Sequence, residues 1–244
     1  MVAQVTALPT HTPNAARVPL VETPRAVPQT WVPGVTAAAS DEVYRAIALQ
    51  AGCTAPGVLA VASACAGDGK TTLALALASL TARDFPERRI AYVETDFARP
   101  MVATRLGTAA NPGLLESLVR DQPLAAESMR PTALPNLDVI PAGGPDLAPN
   151  RWLCSTELAQ AVMRLRQSHE LVVLDLPALT THSGAIALLE QSDRAVFVVR
   201  AGATPAPIAR QALTYVPPSK LTGVVLTQAT SHVPGAVRRL MGLA

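Results

Sequence analysis

Short apolar runs recur along the chain at Val58–Ser63, Ile90–Glu94, Leu137–Ile140, Leu171–Asp175, Ala195–Val199 and Val224–Thr227. They are rich in Val, Leu and Ile and apolar at successive positions, the pattern of strands covered on both faces. Ala-rich and amphipathic stretches between them predict helices over Thr71–Arg83, Ser155–Ser168 and Ala206–Tyr215. A further helix is predicted from Ser40, as N-cap, and Asp41 to about Gln50. Strand and helix in alternation predict an α/β fold: a doubly wound, mostly parallel sheet whose ligands bind beyond the carboxyl ends of its strands.

Residues 1–35 lack this pattern. Pro9, Pro13, Pro19, Pro24, Pro28 and Pro33 interrupt any helix there, so an extended, disordered tail is expected, with one domain over 36–244. The tail reads equally as a docking arm or as a leader without a specific partner.

Composition narrows the class only a little. Hydrophobic residues at 49% and charged ones at 16% describe a globular chain, and aromatics at 3% leave the core to Val, Leu and Ala. The net charge of +2 comes without a Lys/Arg block or aromatics interleaved with basic residues, since Trp31 and Trp152 stand alone. Nucleic acid is therefore not an expected partner. Cys53, Cys65 and Cys154 make no CxxC pair, which suits a reducing cytoplasm. His11, His169, His182 and His232 have no metal-ligand spacing and read as surface or loop residues. The N-terminus has no pattern of a secretory signal. Ala46–Gly67 carries no charge, yet Gln50, Gly52 and Pro56 interrupt it, so it does not read as a membrane span. Val237, Leu240, Met241 and Ala244 fall on one helical face beside Arg238 and Arg239. This segment reads more simply as a short helix at the sheet edge than as a lipid anchor.

The sharpest chemistry lies in VLAVASACAGDGKTTLALALA, which reads as strand, turn and helix. This is a P-loop: Gly67 and Gly69 permit positive φ and close approach of backbone to phosphate, and Lys70 brings a charge to the β- and γ-phosphates. The Thr71 hydroxyl can bind magnesium, while the helix N-terminus favours anionic oxygen. Ala64 takes the place of the first Gly of GxxxxGK[ST]. The expected cofactors are ATP and Mg2+, with Ala66, Gly67, Asp68, Gly69, Lys70, Thr71 and Thr72 as the cradle. Two acidic strand ends fit the same chemistry. Glu94 and Asp96 follow IAYV, and Asp175 ends LVVLD, where carboxylates can hold magnesium or orient an attacking group.

In this order the motifs resemble the bacterial tyrosine kinase family of capsule and exopolysaccharide synthesis, a branch of the MinD/ParA group of P-loop ATPases. The resemblance runs from about Ser40 to Thr227. SDEVYRAIALQ is similar to the family's leading helix and AGDGKTT to its Walker A loop. YVETDFARP is similar to a second acidic motif of the form hhDxDxRxP, with Ala98 in place of its Arg. NPGLLESLV, LPNLDVIPAG, LVVLDLPAL and VVRAGATP follow in the family's sequence. Cys65 holds the place of the signature lysine of ParA-like loops, which points to the kinase branch.

The resemblance implies catalytic roles for Lys70, Glu94, Asp96 and Asp175, magnesium at Thr71, Asp96 and Asp175, and Thr227 at the adenine-contact position. It implies a cytoplasmic module at the inner face of the plasma membrane, held there by a transmembrane chain-length or copolymerase-type activator, and it leaves a homo-oligomer open. Three departures bear on the chemistry. Only Tyr44, Tyr92 and Tyr215 are present, so there is no C-terminal tyrosine cluster. Glu94 replaces the Asp thought to act as base. The assembly motif ExxRxxR keeps Glu42 and Arg45 but ends at Ala48. A MinD/ParA-like ATPase switch acting by ATP-dependent assembly, and a nucleotide-binding scaffold with weak or no catalysis, stay open as alternatives.

Overall fold

The computed structural model describes residues 20–22, 38–120, 122, 124, 126–130 and 132–228. The elements are β1 (Leu20–Glu22), α1 (Ala38–Gln50), β2 (Gly57–Ser63), α2 (Lys70–Asp84), β3 (Ile90–Glu94), α3 (Val102–Arg105) and α4 (Leu114–Val119). A 3-10 turn at Ala126–Ser128 precedes β4 (Leu137–Ile140), α5 (Pro149–Leu153), α6 (Thr156–Ser168) and β5 (Leu171–Asp175). The chain continues through α7 (Ala185–Gln191), β6 (Arg194–Arg200), α8 (Ala206–Leu213) and β7 (Leu221–Thr227). The strands form one sheet in the order β1-β7-β6-β2-β5-β3-β4, parallel at every pairing.

Alternation along the strands divides the core in two. Leu59, Val61, Tyr92, Val173, Val196 and Val225 face α1 and α2. Val58, Ala60, Val93, Val172, Leu174 and Phe197 share the opposite layer with residues of α4 to α8. α2 lies between the sheet and α1, so it is apolar nearly all round and every residue from Leu73 to Ala82 is buried. α6 shows the other pattern: the Ser155 hydroxyl accepts the Leu158 N–H at 3.1 Å, and Leu158, Ala161, Val162 and Leu165 form its buried stripe.

The six predicted strands are present, three with identical bounds and three one to three residues longer at the start, β6 also by one at its end. α1 begins at Ala38, so Ser40 lies within its first turn instead of capping it. α3, α4, α5 and α7, of four to seven residues, are too short for a periodic signal and were not predicted. Within the stretch expected to be a disordered tail, Leu20–Glu22 is extended and pairs with Val224–Leu226, because β7 would otherwise present an open edge. The rest of that stretch, with Trp31 and His11, lies outside the described residues, as do His232 and the segment 237–244. The charge-free Ala46–Gly67 is the end of α1, a turn, β2 and the start of the P-loop. No helix among the described residues is long and apolar enough to cross a membrane.

His169 lies in the loop between α6 and β5, as read, but not at the surface. It is buried, its Nε2 lies 2.8 Å from Asp138 Oδ2, and its Nδ1 lies 2.9 Å from the Ser168 hydroxyl. It joins the beginnings of β4 and β5 to the end of α6, opposite the P-loop.

Candidate functional site

β2 runs up the middle of the sheet and delivers the chain into the loop 64–69, which α2 leaves at Lys70. Gly67 has φ +84° and Gly69 φ +99°, so both occupy the left-handed region expected of them. A Cβ on Gly69 would also lie 3.1 Å from Thr227 Cγ2. The segment after β5 braces the same loop: the Leu179 N–H donates to Ser63 O at 3.0 Å and the Thr180 hydroxyl to Ala64 O at 2.6 Å.

Asp68 turns away from the phosphate side. Its Oδ2 accepts the Cys65 N–H at 2.9 Å, its Oδ1 accepts the Thr204 hydroxyl at 2.5 Å, and its carbonyl accepts the Thr227 hydroxyl at 2.6 Å. The Asp68 side chain is therefore an internal clamp that fastens the P-loop to the β6–α8 turn, and its carbonyl ties the loop to the end of β7. The Thr227 hydroxyl is spent on that clamp as well. Ala66 and Gly67 lie exposed at the loop tip, and Lys70 is buried at the start of α2. Thr72 Oγ1 lies 3.4 Å from Arg105 Nη1, which brings α3 to the mouth.

The three expected carboxylates differ in their surroundings. Asp175 ends β5 fully buried; its Oδ2 accepts the Tyr92 hydroxyl at 2.8 Å, and its Oδ1 is buried without a hydrogen-bond partner. Burial raises its pKa, while Lys70, the Thr71 hydroxyl and the Tyr92 hydroxyl lower it and Asp96 adds to the rise. A buried anionic oxygen with an open lone pair, beside Thr71 and Lys70, fits a magnesium ion held through one or two carboxylates and substrate phosphates. Asp96 lies in the loop just after β3, partly exposed, and accepts the Arg99 N–H at 3.1 Å.

Glu94 does not behave as a free base. Its Oε1 accepts the Met101 and Val102 N–H groups at 2.6 and 3.1 Å, and its Oε2 accepts the Ala142 N–H at 3.0 Å. The longer side chain reaches past the phosphate side and ties α3 and the strand end of β4 to β3. Burial raises its pKa, against the pull of these three amides.

Several residues that brace this region carried no motif. Tyr92 stands in a run that reads as plain core; a hydroxylated aromatic two residues before an acidic strand end was the available signal. Thr204 and Thr180 reach the P-loop from far along the chain. Glu116 accepts the Gly113 and Gly144 N–H groups at 2.7 and 3.1 Å, joining NPGLLESLV to the PAGG turn. Gly113 is required there, since a Cβ would lie 2.5 Å from the Gly143 backbone.

Comparison with known proteins agrees with this architecture. No family profile matches the chain. It is 30% identical over 183 residues to the succinoglycan biosynthesis transport protein ExoP of Rhizobium meliloti (strain 1021), covering 73% of this chain and 23% of that protein. It is 25% identical over 144 residues to the tyrosine-protein kinase YwqD of Bacillus subtilis (strain 168), covering 59% and 60%. The chain thus spans less than two thirds of either relative. Among solved structures, the chimerical protein CapA2B2 superposes with a TM-score of 0.74 at 21% identity, over 88% of this chain and 96% of that one. The septum site-determining protein MinD of Pyrococcus horikoshii OT3, complexed with Mg-ADP, gives 0.55 at 19% identity, over 77% and 78%. Both share the fold. With a Walker A loop on the central strand, acidic ends on β3 and β5, and these relatives, the chain belongs to the bacterial tyrosine kinase family of capsule and exopolysaccharide synthesis, within the MinD/ParA group of P-loop proteins.

Proposed function

We propose that the chain binds ATP with magnesium on its P-loop and transfers the γ-phosphoryl group to a hydroxyl acceptor, as the cytoplasmic module of a polysaccharide polymerisation and export system. The observation that carries the reading is the buried, unpartnered Asp175 Oδ1 beside Thr71 and Lys70. Backbone N–H groups of the loop tip and α2 N-terminus cradle the phosphates, and Lys70 neutralises their outer oxygens. Thr71 and Asp175 would hold the magnesium ion, which would supply further charge neutralisation when bound. Asp96, the solvent-reachable carboxylate of the strand-end pair, orients the acceptor hydroxyl. It receives the hydroxyl proton as the new O–P bond forms and the bond to the departing ADP breaks. Glu94 serves by holding α3 and its Arg105 at the mouth. By analogy with the relatives, a transmembrane copolymerase-type protein activates the module and places it at the inner face of the membrane.

A second reading has its own observation. Tyr44 and Tyr92 are buried, and Tyr215, in the turn after α8, is the exposed tyrosine of the three. An ATPase switch acting by assembly needs no such acceptor. Labelled ATP, given to the purified chain with and without its membrane partner, separates the two. Phosphotyrosine on Tyr215 or on a co-purified protein supports transfer; hydrolysis with ATP-dependent dimerisation and no transfer supports the switch. Lys70→Ala should lower either turnover on the order of a hundredfold. Absence of ATP binding by calorimetry removes both.

A further inference from the structure

The second acidic motif asks only for apolar residues before its first carboxylate, yet the chain places a tyrosine there. Tyr92 and Glu94 on β3 stand opposite Val173 and Asp175 on β5, all four on the face of the sheet that α2 covers. The phenol is fully buried and its O–H donates to Asp175 Oδ2 at 2.8 Å. From the other side, the Thr95 hydroxyl and N–H donate to the Asp175 carbonyl at 2.8 and 3.1 Å. Strand end and one carboxylate oxygen are thus fixed, and the second oxygen is left without a partner.

The groups around this carboxylate show what the phenol adds. Lys70 and Thr71 face it from α2, Tyr92 and Glu94 from β3, and Asp96 from the loop beyond. Glu94 is held by three backbone amides and has no hydrogen to give Asp175 while ionised. Tyr92 is therefore the donor on the strand side; without it, both oxygens would compete for Lys70 and Thr71. We propose that Tyr92 is a positioning residue that commits one oxygen of Asp175 to the protein so that the other is presented to the magnesium of the bound nucleotide. The inference rests on the ATP–magnesium reading above. Partners that orient a metal-ligating group in this way typically set metal affinity by ten- to a hundredfold.

Tyr92→Phe keeps the ring and removes the hydroxyl. Calorimetry of ATP binding at fixed pH, with magnesium titrated and with a chelator arm, reads the effect. The expected result is an unchanged ATP affinity without magnesium and a magnesium half-saturation raised about tenfold. Thr95→Val serves as the structural control: it loosens the same strand end, and its magnesium curve should follow the wild type while its unfolding temperature falls. If Tyr92→Phe does not fold, Tyr92→Leu, apolar as the motif asks, carries the same test. A folded Tyr92 variant with a wild-type magnesium curve overturns the proposal. A wild-type chain whose ATP binding ignores magnesium instead overturns the reading on which it rests.

Discussion

Glu94 and Asp96 are two residues apart and do opposite work. Glu94→Gln would turn an NH2 group toward one of the three N–H groups that its oxygens accept, leaving buried polar atoms unpaired. A stability loss of about 1–3 kcal/mol follows, measurable by denaturant titration. Asp96→Asn touches a partly exposed side chain, so its stability should stay within about 0.5 kcal/mol of wild type. Its turnover should fall at least about a hundredfold. The reverse pattern would return the base to Glu94. Asp175 makes a further case at this scale. Its folded-state pKa lies above the ordinary carboxylate value because burial disfavours the charge. Its contribution to stability is thus full below the unfolded pKa and is lost as pH rises through the folded one. Asp175→Asn should therefore melt above the nucleotide-free wild type at pH 8, with the gain shrinking toward acid pH, while magnesium-dependent ATP binding disappears. A melting difference that stays constant between pH 4 and pH 8 would contradict the burial argument.

Elements were legible where burial wrote a local pattern. Strands covered on both faces are continuous apolar runs, so β2 to β7 could be read directly, and α2, α6 and α8 followed from composition and periodicity. The P-loop was legible because its glycines, lysine and threonine are consecutive. What holds that loop was not. Thr204 meets Asp68 across 136 positions and Thr227 meets it across 159, and no local pattern records such a pairing. The same holds for Tyr92 and Asp175, 83 positions apart and neighbours only through strand order. The partners of Glu94 are hidden for a related reason: Met101, Val102 and Ala142 come from a short helix without a periodic signal and from a turn. The clamp yields its own expectation. Asp68→Ala removes acceptors for Cys65 and Thr204 without touching a side chain that faces phosphate. It should weaken ATP binding about tenfold by unfastening the loop, a loss of about 1.4 kcal/mol. Thr204→Val should reproduce part of that loss; ATP affinity unchanged in both would make the clamp incidental.

At the scale of the molecule, the sheet keeps its P-loop strand in the centre, three strands in from either rim. Neither rim is bare. Leu20–Glu22 lies along β7 on one side, and on the other Arg130 makes an antiparallel bridge to Val139 of β4. Arg130 is buried, and its guanidinium gathers the carbonyls of Ala109, Ala110, Pro112 and Glu127, so one side chain fastens two loop segments beside that strand. Loss of that anchor should matter more for colloidal behaviour than for catalysis. Arg130→Ala is expected to speed thioflavin-positive fibril growth on gentle warming, with ATP affinity near wild type; quiescent solutions of the variant would show that β4 needs no guard. A parallel sheet with unpaired rims is a template on which another chain can polymerise. Here a short strand and an arginine blunt both rims, a form of protection against amyloid that leaves the nucleotide site untouched.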